Sequence, residues 1–137
     1  MTGMAQSHYR LGMNYYQGNG VQKSYAEAMK WFRLAAQEKY PRAIFMLGRM
    51  YDKGQGIAAN TAEAVRYYQQ AAELGYARAQ NILGQAYITG RGVTASYDEA
   101  LKWFRLAADQ NFSDGQYNLG LMYAKGHGVP KDFLEAR

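Results

Sequence analysis

The sequence predicts an all-α protein, an α/α superhelical solenoid of stacked antiparallel helix pairs with a 36-residue period. The first observation is a leucine-glycine pair that recurs every 36 residues, at Leu11-Gly12, Leu47-Gly48, Leu83-Gly84 and Leu119-Gly120. The second is the helical spacing of apolar residues within each copy, as at Ala28, Trp31, Phe32 and Ala35. Helices of roughly 12 to 14 residues are too short to be stable alone, so they must stack on one another.

The repeat divides the chain into four units, approximately residues 3–38, 39–74, 75–110 and 111–137. Each full unit holds two helices and the fourth stops early, so we expect seven full helices and the beginning of an eighth. The eighth would start at Asp132 and stop at Arg137 after barely one turn. This pattern indicates a truncated chain or a domain boundary. It predicts an apolar C-terminal edge that frays or is covered by another molecule, including a second copy through self-association.

The first helix of each unit is followed by a turn with two glycines, at residues 18 and 20, 54 and 56, 90 and 92, and 126 and 128. Glycine adopts backbone angles that are costly for other residues, which suits a tight turn between two helices. A phosphate-binding role is disfavoured, because a dinucleotide fingerprint follows a strand and contains a third glycine.

The second helix of each unit has a start signal, a polar capping residue followed three positions later by glutamate. The pairs are Ser24/Glu27, Asn60/Glu63, Ser96/Glu99 and Asp132/Glu135. The helix is predicted to end near Lys39, Gly75 or Asn111, where glycine and asparagine tolerate a left-handed cap. Pro41 suits the first turn of the next helix, because its missing N–H would have no helical partner there.

Together these residues resemble the Sel1-like repeat, a relative of the tetratricopeptide repeat. The likeness rests on the Leu-Gly pair, a tyrosine such as Tyr51 four residues after the leucine, the paired glycines, and the segment Ala28 to Ala36 with its two aromatics and two final alanines. It covers essentially the whole chain. The resemblance implies a helical repeat scaffold or adaptor for protein-protein interactions, with the first helices lining a concave face. Related proteins are often exported, envelope-associated or virulence-related in bacteria.

Composition excludes several classes of protein. With 48% hydrophobic residues, the 137-residue chain is too apolar to be disordered, and its longest clearly apolar run, Ala43 to Leu47, is too short for a membrane span. The absence of cysteine removes disulfides, thiolate nucleophiles and cysteine metal sites. The first residues carry no secretory signal, so the compartment is not predicted and a cleaved, exported precursor stays open.

No catalytic or metal-binding constellation emerges from the sequence. His8 and His127 stand almost the whole array apart, at positions that vary between the units. Carboxylates such as Glu63 and Asp98 lie at helix starts, where capping and the helix dipole account for them. We therefore expect no enzyme activity, no cofactor and no bound metal.

The variable positions of the first helices carry aromatic, arginine and amide side chains. The candidate binding residues are Tyr9, Tyr16, Arg42, Phe45, Arg49, Arg78, Asn81, Gln85 and Tyr117. Aromatic rings supply rigid apolar area, arginines bind carboxylates, and amides bond to an extended backbone. The sequence therefore predicts a non-catalytic scaffold whose concave face binds a protein or peptide with acidic groups.

Two other functions stay open. The net charge of +5 and the isoelectric point near 9.4, with several arginines and tyrosines, are compatible with nucleic-acid binding. The charge is spread over all units without a dense basic run, which makes a nucleic-acid partner less favoured. Cysteine-rich relatives associated with penicillin binding suggest an enzyme, but this chain has no cysteine and no Ser-x-x-Lys motif.

Overall fold

Helices make up the regular structure of the computed structural model, which describes residues 2–127, with side chains from residue 4. Within that range there are seven helices and no strand. They are α1 (Thr2–Gln17), α2 (Tyr25–Gln37), α3 (Pro41–Lys53), α4 (Thr61–Glu73), α5 (Ala77–Thr89), α6 (Tyr97–Asp109) and α7 (Ser113–Lys125). The prediction of seven full helices is confirmed. The expected eighth helix, its cap at Asp132 and the C-terminal edge around Val129 lie outside the described residues.

The four repeats fall into two compact units, Met1–Leu74 and Gly75–Arg137, which are called the first and the second unit from here on. In the first unit, α1 packs on α2, α2 on α3, and α3 on α4. In the second unit, α5 packs on α6, α6 on α7, and α5 also touches α7. Each helix therefore packs mainly on its neighbours along the chain, and the predicted all-α fold of stacked helix pairs is confirmed.

The helices α1, α3 and α5 each carry a glycine that lies beneath an aromatic ring of the following helix. The pairs are Gly12 with Phe32, Gly48 with Tyr68, and Gly84 with Phe104. A Cβ atom added to Gly48 would lie 2.8 Å from Cδ1 and Cε1 of Tyr68 and 3.1 Å from the backbone oxygen of Ala64. Only glycine permits this approach, and the ring, 3% exposed, fills the space above it.

The turn after each first helix is tied to the start of the next helix. Gly54 ends α3 in the left-handed conformation at φ +70°, and its N–H donates to the carbonyl of Met50. The backbone N–H of each capping residue then donates to a tyrosine carbonyl on the preceding helix, at 2.9 Å in Ser24 to Tyr15, Asn60 to Tyr51 and Ser96 to Tyr87. These bonds fix how closely two successive helices approach each other.

Both ends of the second helices follow the sequence signals. The side chains of Ser24, Asn60 and Ser96 accept hydrogen bonds from the backbone N–H groups of Glu27, Glu63 and Glu99, at 3.1, 3.1 and 3.2 Å. After the last turn, Lys39, Gly75 and Asn111 have φ of +59°, +94° and +63°. The predicted capping residues and left-handed stops are confirmed, including the stop at Lys39, which is neither glycine nor asparagine.

Over residues 2–127, none of the helices combines the length and apolar character that crossing a membrane requires.

Candidate interaction surface

The predicted binding residues lie on the odd-numbered helices, and we call their surface the first-helix face of each unit. In the first unit this face is formed by α1 and α3 with the turn that follows α3. Tyr9 is half-buried, with its ring centroid 5.4 Å from that of Tyr40 and 5.9 Å from that of Phe32. Tyr16 donates its hydroxyl hydrogen to Oε1 of Gln55 at 2.8 Å, which joins α1 to the turn after α3. Both tyrosines are therefore held in place by their neighbours.

The two arginines of this face lie on α3, seven residues apart. Arg42 is exposed in the first turn and Arg49 is half-buried two turns later. Seven residues of α-helix span about 10 Å along the axis and return to nearly the same side. A partner lying along α3 can therefore meet both guanidinium groups.

Phe45 differs from the sequence expectation. It is 1% exposed, and its ring centroid lies 5.4 Å from that of Tyr68 on α4. An aromatic residue in this position packs into the helix pair when the neighbouring helix offers a ring to cover it. Phe45 therefore belongs to the core, and we leave it out of the first-helix face.

In the second unit the first-helix face is formed by α5 and α7. Arg78 and Gln85 are exposed and, like the arginines of α3, stand seven residues apart on one helix. Asn81 lies between them and is 5% exposed, and its Oδ1 accepts a hydrogen bond from Nδ2 of Asn118 at 2.9 Å. This amide pair joins α5 to α7, so Asn81 positions the face and contributes little surface itself.

Tyr117 is the most exposed large apolar side chain that the structure shows over residues 4–127, at 68%. It directly precedes Asn118, whose side chain is anchored to α5. Tyrosine is enriched among the residues that dominate binding energies at protein interfaces, because its ring offers a large apolar area and its hydroxyl a hydrogen bond. Tyr117 is therefore the main aromatic group of the first-helix face in the second unit.

The even-numbered helices carry a different surface, on which an ion pair recurs. On each of them a glutamate pairs with a cation three residues later: Glu27 with Lys30 at 3.3 Å, Glu63 with Arg66 at 2.8 Å, and Glu99 with Lys102 at 3.4 Å. The hydrogen bond from Arg66 lowers the pKa of Glu63, and the same bond raises the pKa of Arg66. Because Lys30, Arg66 and Lys102 are each paired with a glutamate, these cations do not form an uninterrupted basic stripe for a nucleic-acid backbone.

The two histidines pack against aromatic rings. The ring centroid of His8 lies 5.5 Å from that of Trp31, and the His127 ring stacks on Tyr97 at 4.2 Å. Among the residues whose side chains are described, no three His, Cys, Asp or Glu side chains come together as a metal site would require.

One surface feature was missed by the sequence reasoning. A groove of about 570 Å³ runs along α2 and is closed on one side by the turn after α3. It is lined by Met29, Leu34 and Ile57, with Lys30 and Arg33 at its edge. The sequence does contain a signal for it. The α2 residues that line the groove are spaced by three and four positions, so they lie on one side of the helix, and this side extends beyond the ion pair to Leu34.

Comparison with protein families resolves what the repeat is. The sequence profile of the Sel1 repeat matches four consecutive segments, residues 5–40, 41–76, 77–112 and 113–137. The chain belongs to the Sel1 repeat family. The matched segments account for nearly the whole sequence, and the family resemblance of the 36-residue pattern is confirmed. Sel1 repeat proteins are in general protein-interaction scaffolds, and their repeat fold is in general not catalytic.

Two solved structures are similar in both fold and sequence. A protective antigen present in uropathogenic Escherichia coli strains, displaying an SLR fold, is 42% identical over 96% of this chain, with a TM-score of 0.92. A Sel1 repeat protein from Oxalobacter formigenes is 37% identical over 96% of this chain, also with a TM-score of 0.92. The chain spans 28% of the first of these proteins and 53% of the second.

A more distant structure shares the fold alone. Helicobacter pylori cysteine rich protein B is 20% identical over 80% of this chain, which spans 87% of that protein, with a TM-score of 0.69. A search of curated proteins gives no match.

Proposed function

We propose that this chain is a non-catalytic protein-interaction module that binds an extended, acidic segment of a partner protein on the first-helix face of each unit. The observation that carries the proposal is Tyr117, a large aromatic side chain left 68% exposed on α7. Rigid aromatic groups at a surface are typical anchors of protein interfaces, because burying them gains apolar area at little cost in side-chain entropy. The proposed contact residues are Tyr9, Tyr16, Arg42 and Arg49 in the first unit, and Arg78, Gln85 and Tyr117 in the second, where Asn81 helps to position the face.

The charge of these residues sets the kind of partner. Three arginines belong to the proposed contact residues, Arg42 and Arg49 in the first unit and Arg78 in the second. A guanidinium group is planar and can form bidentate hydrogen bonds with a carboxylate. Aspartate and glutamate side chains of the partner would meet these arginines, while its apolar side chains pack on the tyrosines. The exposed amide of Gln85 can bond to the backbone of an extended segment.

The geometry favours recognition by a surface that is formed before the partner arrives. The Tyr16 hydroxyl is bonded to Gln55, Tyr9 packs on Tyr40, and Asn81 is bonded to Asn118. Side chains that are already ordered lose little conformational entropy on binding, which increases the affinity that a given contact area can provide.

The experiment is a selection from a random peptide library displayed on phage, with the immobilised chain as bait. The dominant selected peptide is then labelled, and its affinity is measured by fluorescence anisotropy. We expect it to be rich in acidic and apolar residues. Reversal of the first-helix charges in both units, Arg42→Glu with Arg49→Glu and Arg78→Glu, should weaken binding by at least about tenfold, the equivalent of about 1.4 kcal/mol. Circular dichroism checks that this variant is folded.

Lys102→Glu is the control, because it reverses an exposed charge on α6, a helix that carries none of the proposed contact residues. It should leave the affinity within about twofold of the original value. Equal losses in the two variants would contradict the proposal. So would a failure to select any peptide while single-stranded DNA binds with a steep dependence on salt, because that result would assign the surface to nucleic acid.

A further inference from the structure

The groove along α2 is a second surface with its own chemistry. Its floor and walls are apolar, with Met29 buried and Leu34 and Ile57 half-buried. Its volume is about 570 Å³ and it is wide open to solvent, so it suits an extended segment lying along the surface better than an enclosed small molecule. All of its lining residues belong to the first unit.

Two cations border this apolar floor. Lys30 is paired with Glu27 at 3.3 Å, but the two side chains are 59% and 42% exposed, so the pair is weak and a partner carboxylate can replace it. Arg33 donates one hydrogen bond to the Tyr51 hydroxyl at 3.4 Å, and that bond uses one of the five N–H donors of the guanidinium group. The groove therefore combines apolar depth with a positively charged edge.

The equivalent positions in the other repeats do not combine an apolar floor with two cations in this way. On α4, the positions of Arg33 and Leu34 are taken by Gln69 and Gln70. On α6 both cations and the leucine recur, but Asp98 replaces Ala26, which would repel a carboxylate. Since the repeat frame does not require Arg33, Leu34 and Ala26 together, their presence in one repeat calls for a local explanation.

We propose that the α2 groove docks a short acidic and apolar peptide segment of a partner protein. Leucine-like side chains of that segment fill the space between Leu34 and Ile57, and its carboxylates pair with Lys30 and Arg33. Charge complementarity selects this occupant, because Lys30 and Arg33 are two cations beside a single carboxylate, Glu27, so the edge keeps a net positive charge that an acidic segment can neutralise. The site is lined mainly by α2, includes none of the proposed contact residues of the first-helix face, and does not depend on the proposed function.

The test uses a synthetic, end-capped, fluorescein-labelled octapeptide in which leucines flank two glutamates, and a twin in which glutamine replaces both glutamates. Fluorescence anisotropy should show that the glutamate peptide binds and that its twin binds at least about fivefold more weakly. The double variant Lys30→Gln with Arg33→Gln should weaken binding of the glutamate peptide by about tenfold. Leu34→Asn, which removes the apolar contact, should also weaken it. Unchanged ellipticity at 222 nm in each variant shows that the fold is retained.

The matched control is Lys102→Gln with Arg105→Gln, which changes the equivalent cations on α6. It should bind the glutamate peptide like the original chain. An equal loss in both double variants would overturn the proposal, because the attraction would then follow net charge alone. Absence of binding at 1 mM peptide would also overturn it. So would a concentration-dependent dimer, seen by sedimentation, that the Lys30 and Arg33 variant dissolves, since a second copy would then occupy the groove.

Discussion

At the scale of single residues, close packing between a glycine and an aromatic ring sets how near two helices can lie. Gly48 illustrates this, because Tyr68 and the Ala64 carbonyl leave no room for a side chain. The Tyr68 hydroxyl also donates to Oδ2 of Asp52 at 3.2 Å, so the ring is held from both ends. A side chain at Gly48 must therefore move the ring or separate α3 from α4.

Gly48→Val is expected to lower the free energy of unfolding by about 1 to 3 kcal/mol, because it overpacks this contact. Urea denaturation followed by circular dichroism measures the change. Gly20→Asn is the control: Gly20 has φ +75° with no atom within 4 Å of an added Cβ, and asparagine tolerates that conformation. The control should lose less than about 1 kcal/mol. Equal stability of Gly48→Val and the original chain would contradict the packing described here.

Lys39→Gly is expected to stabilise the protein, which is an unusual direction for a mutation to glycine. Lys39 has φ +59°, a conformation that costs a residue with a Cβ atom about 1 to 2 kcal/mol. Glycine removes this cost, but ordering its more flexible backbone costs about 0.5 to 1 kcal/mol in conformational entropy. The net gain in the free energy of unfolding should therefore be about 0.5 to 1 kcal/mol. Asn111→Gly, at φ +63°, should gain less because asparagine already tolerates that region. A loss of thermal stability in Lys39→Gly would show that the lysine side chain contributes a contact worth more than the strain.

At the scale of helices, side-chain caps decide where the second helix of each repeat begins. The Ser24 hydroxyl satisfies a backbone N–H that has no partner within the helix, and Ser96 does the same on α6. Because the backbone of each capping residue also bonds to a tyrosine carbonyl on the preceding helix, the cap orients one helix against the other.

Ser24→Ala and Ser96→Ala should each lower the free energy of unfolding by about 1 kcal/mol through loss of the cap. Chemical denaturation monitored by tryptophan fluorescence is a suitable measurement. Ser7→Ala provides the comparison, since Ser7 is exposed within α1 and alanine favours helix there. If all three substitutions had the same effect, capping would not be the cause.

Helix positions were predictable because their signals are local. The capping pairs, the paired glycines and Pro41 each act within one turn of chain, so the sequence alone predicts where α2, α3, α4 and α6 begin. The stop at Lys39 was predictable only from its register in the repeat, since lysine by itself favours neither a left-handed conformation nor a helix end.

At the scale of the whole molecule, the repeat shows which positions form the frame, but not which variable side chains are covered by neighbours. Tyr9, Phe45, Asn81 and Tyr117 occupy the same register, yet Phe45 is 1% exposed and Tyr117 is 68% exposed. The difference comes from contacts with other helices, such as the Tyr68 ring beside Phe45. The groove along α2 was missed for the same reason, since Ile57 reaches it from a turn far along the chain.

The repeated frame positions hold the fold, whereas we propose that variable positions of the first helices bind a partner. Two tyrosines on α7 separate these roles, because Tyr117 is exposed and Tyr123 is 5% exposed. Tyr123 also bonds to Arg105 on α6, which marks it as a residue of the helix contact.

The decisive measurement compares Tyr117→Ala with Tyr123→Ala in two assays, anisotropy with the library-selected peptide and urea unfolding. We expect Tyr117→Ala to weaken binding by at least about tenfold and to change the free energy of unfolding by less than about 0.5 kcal/mol. Tyr123→Ala should instead lower the free energy of unfolding by about 3 kcal/mol. If Tyr117→Ala binds the peptide as tightly as the original chain does, the claim that the first-helix face binds the partner is contradicted.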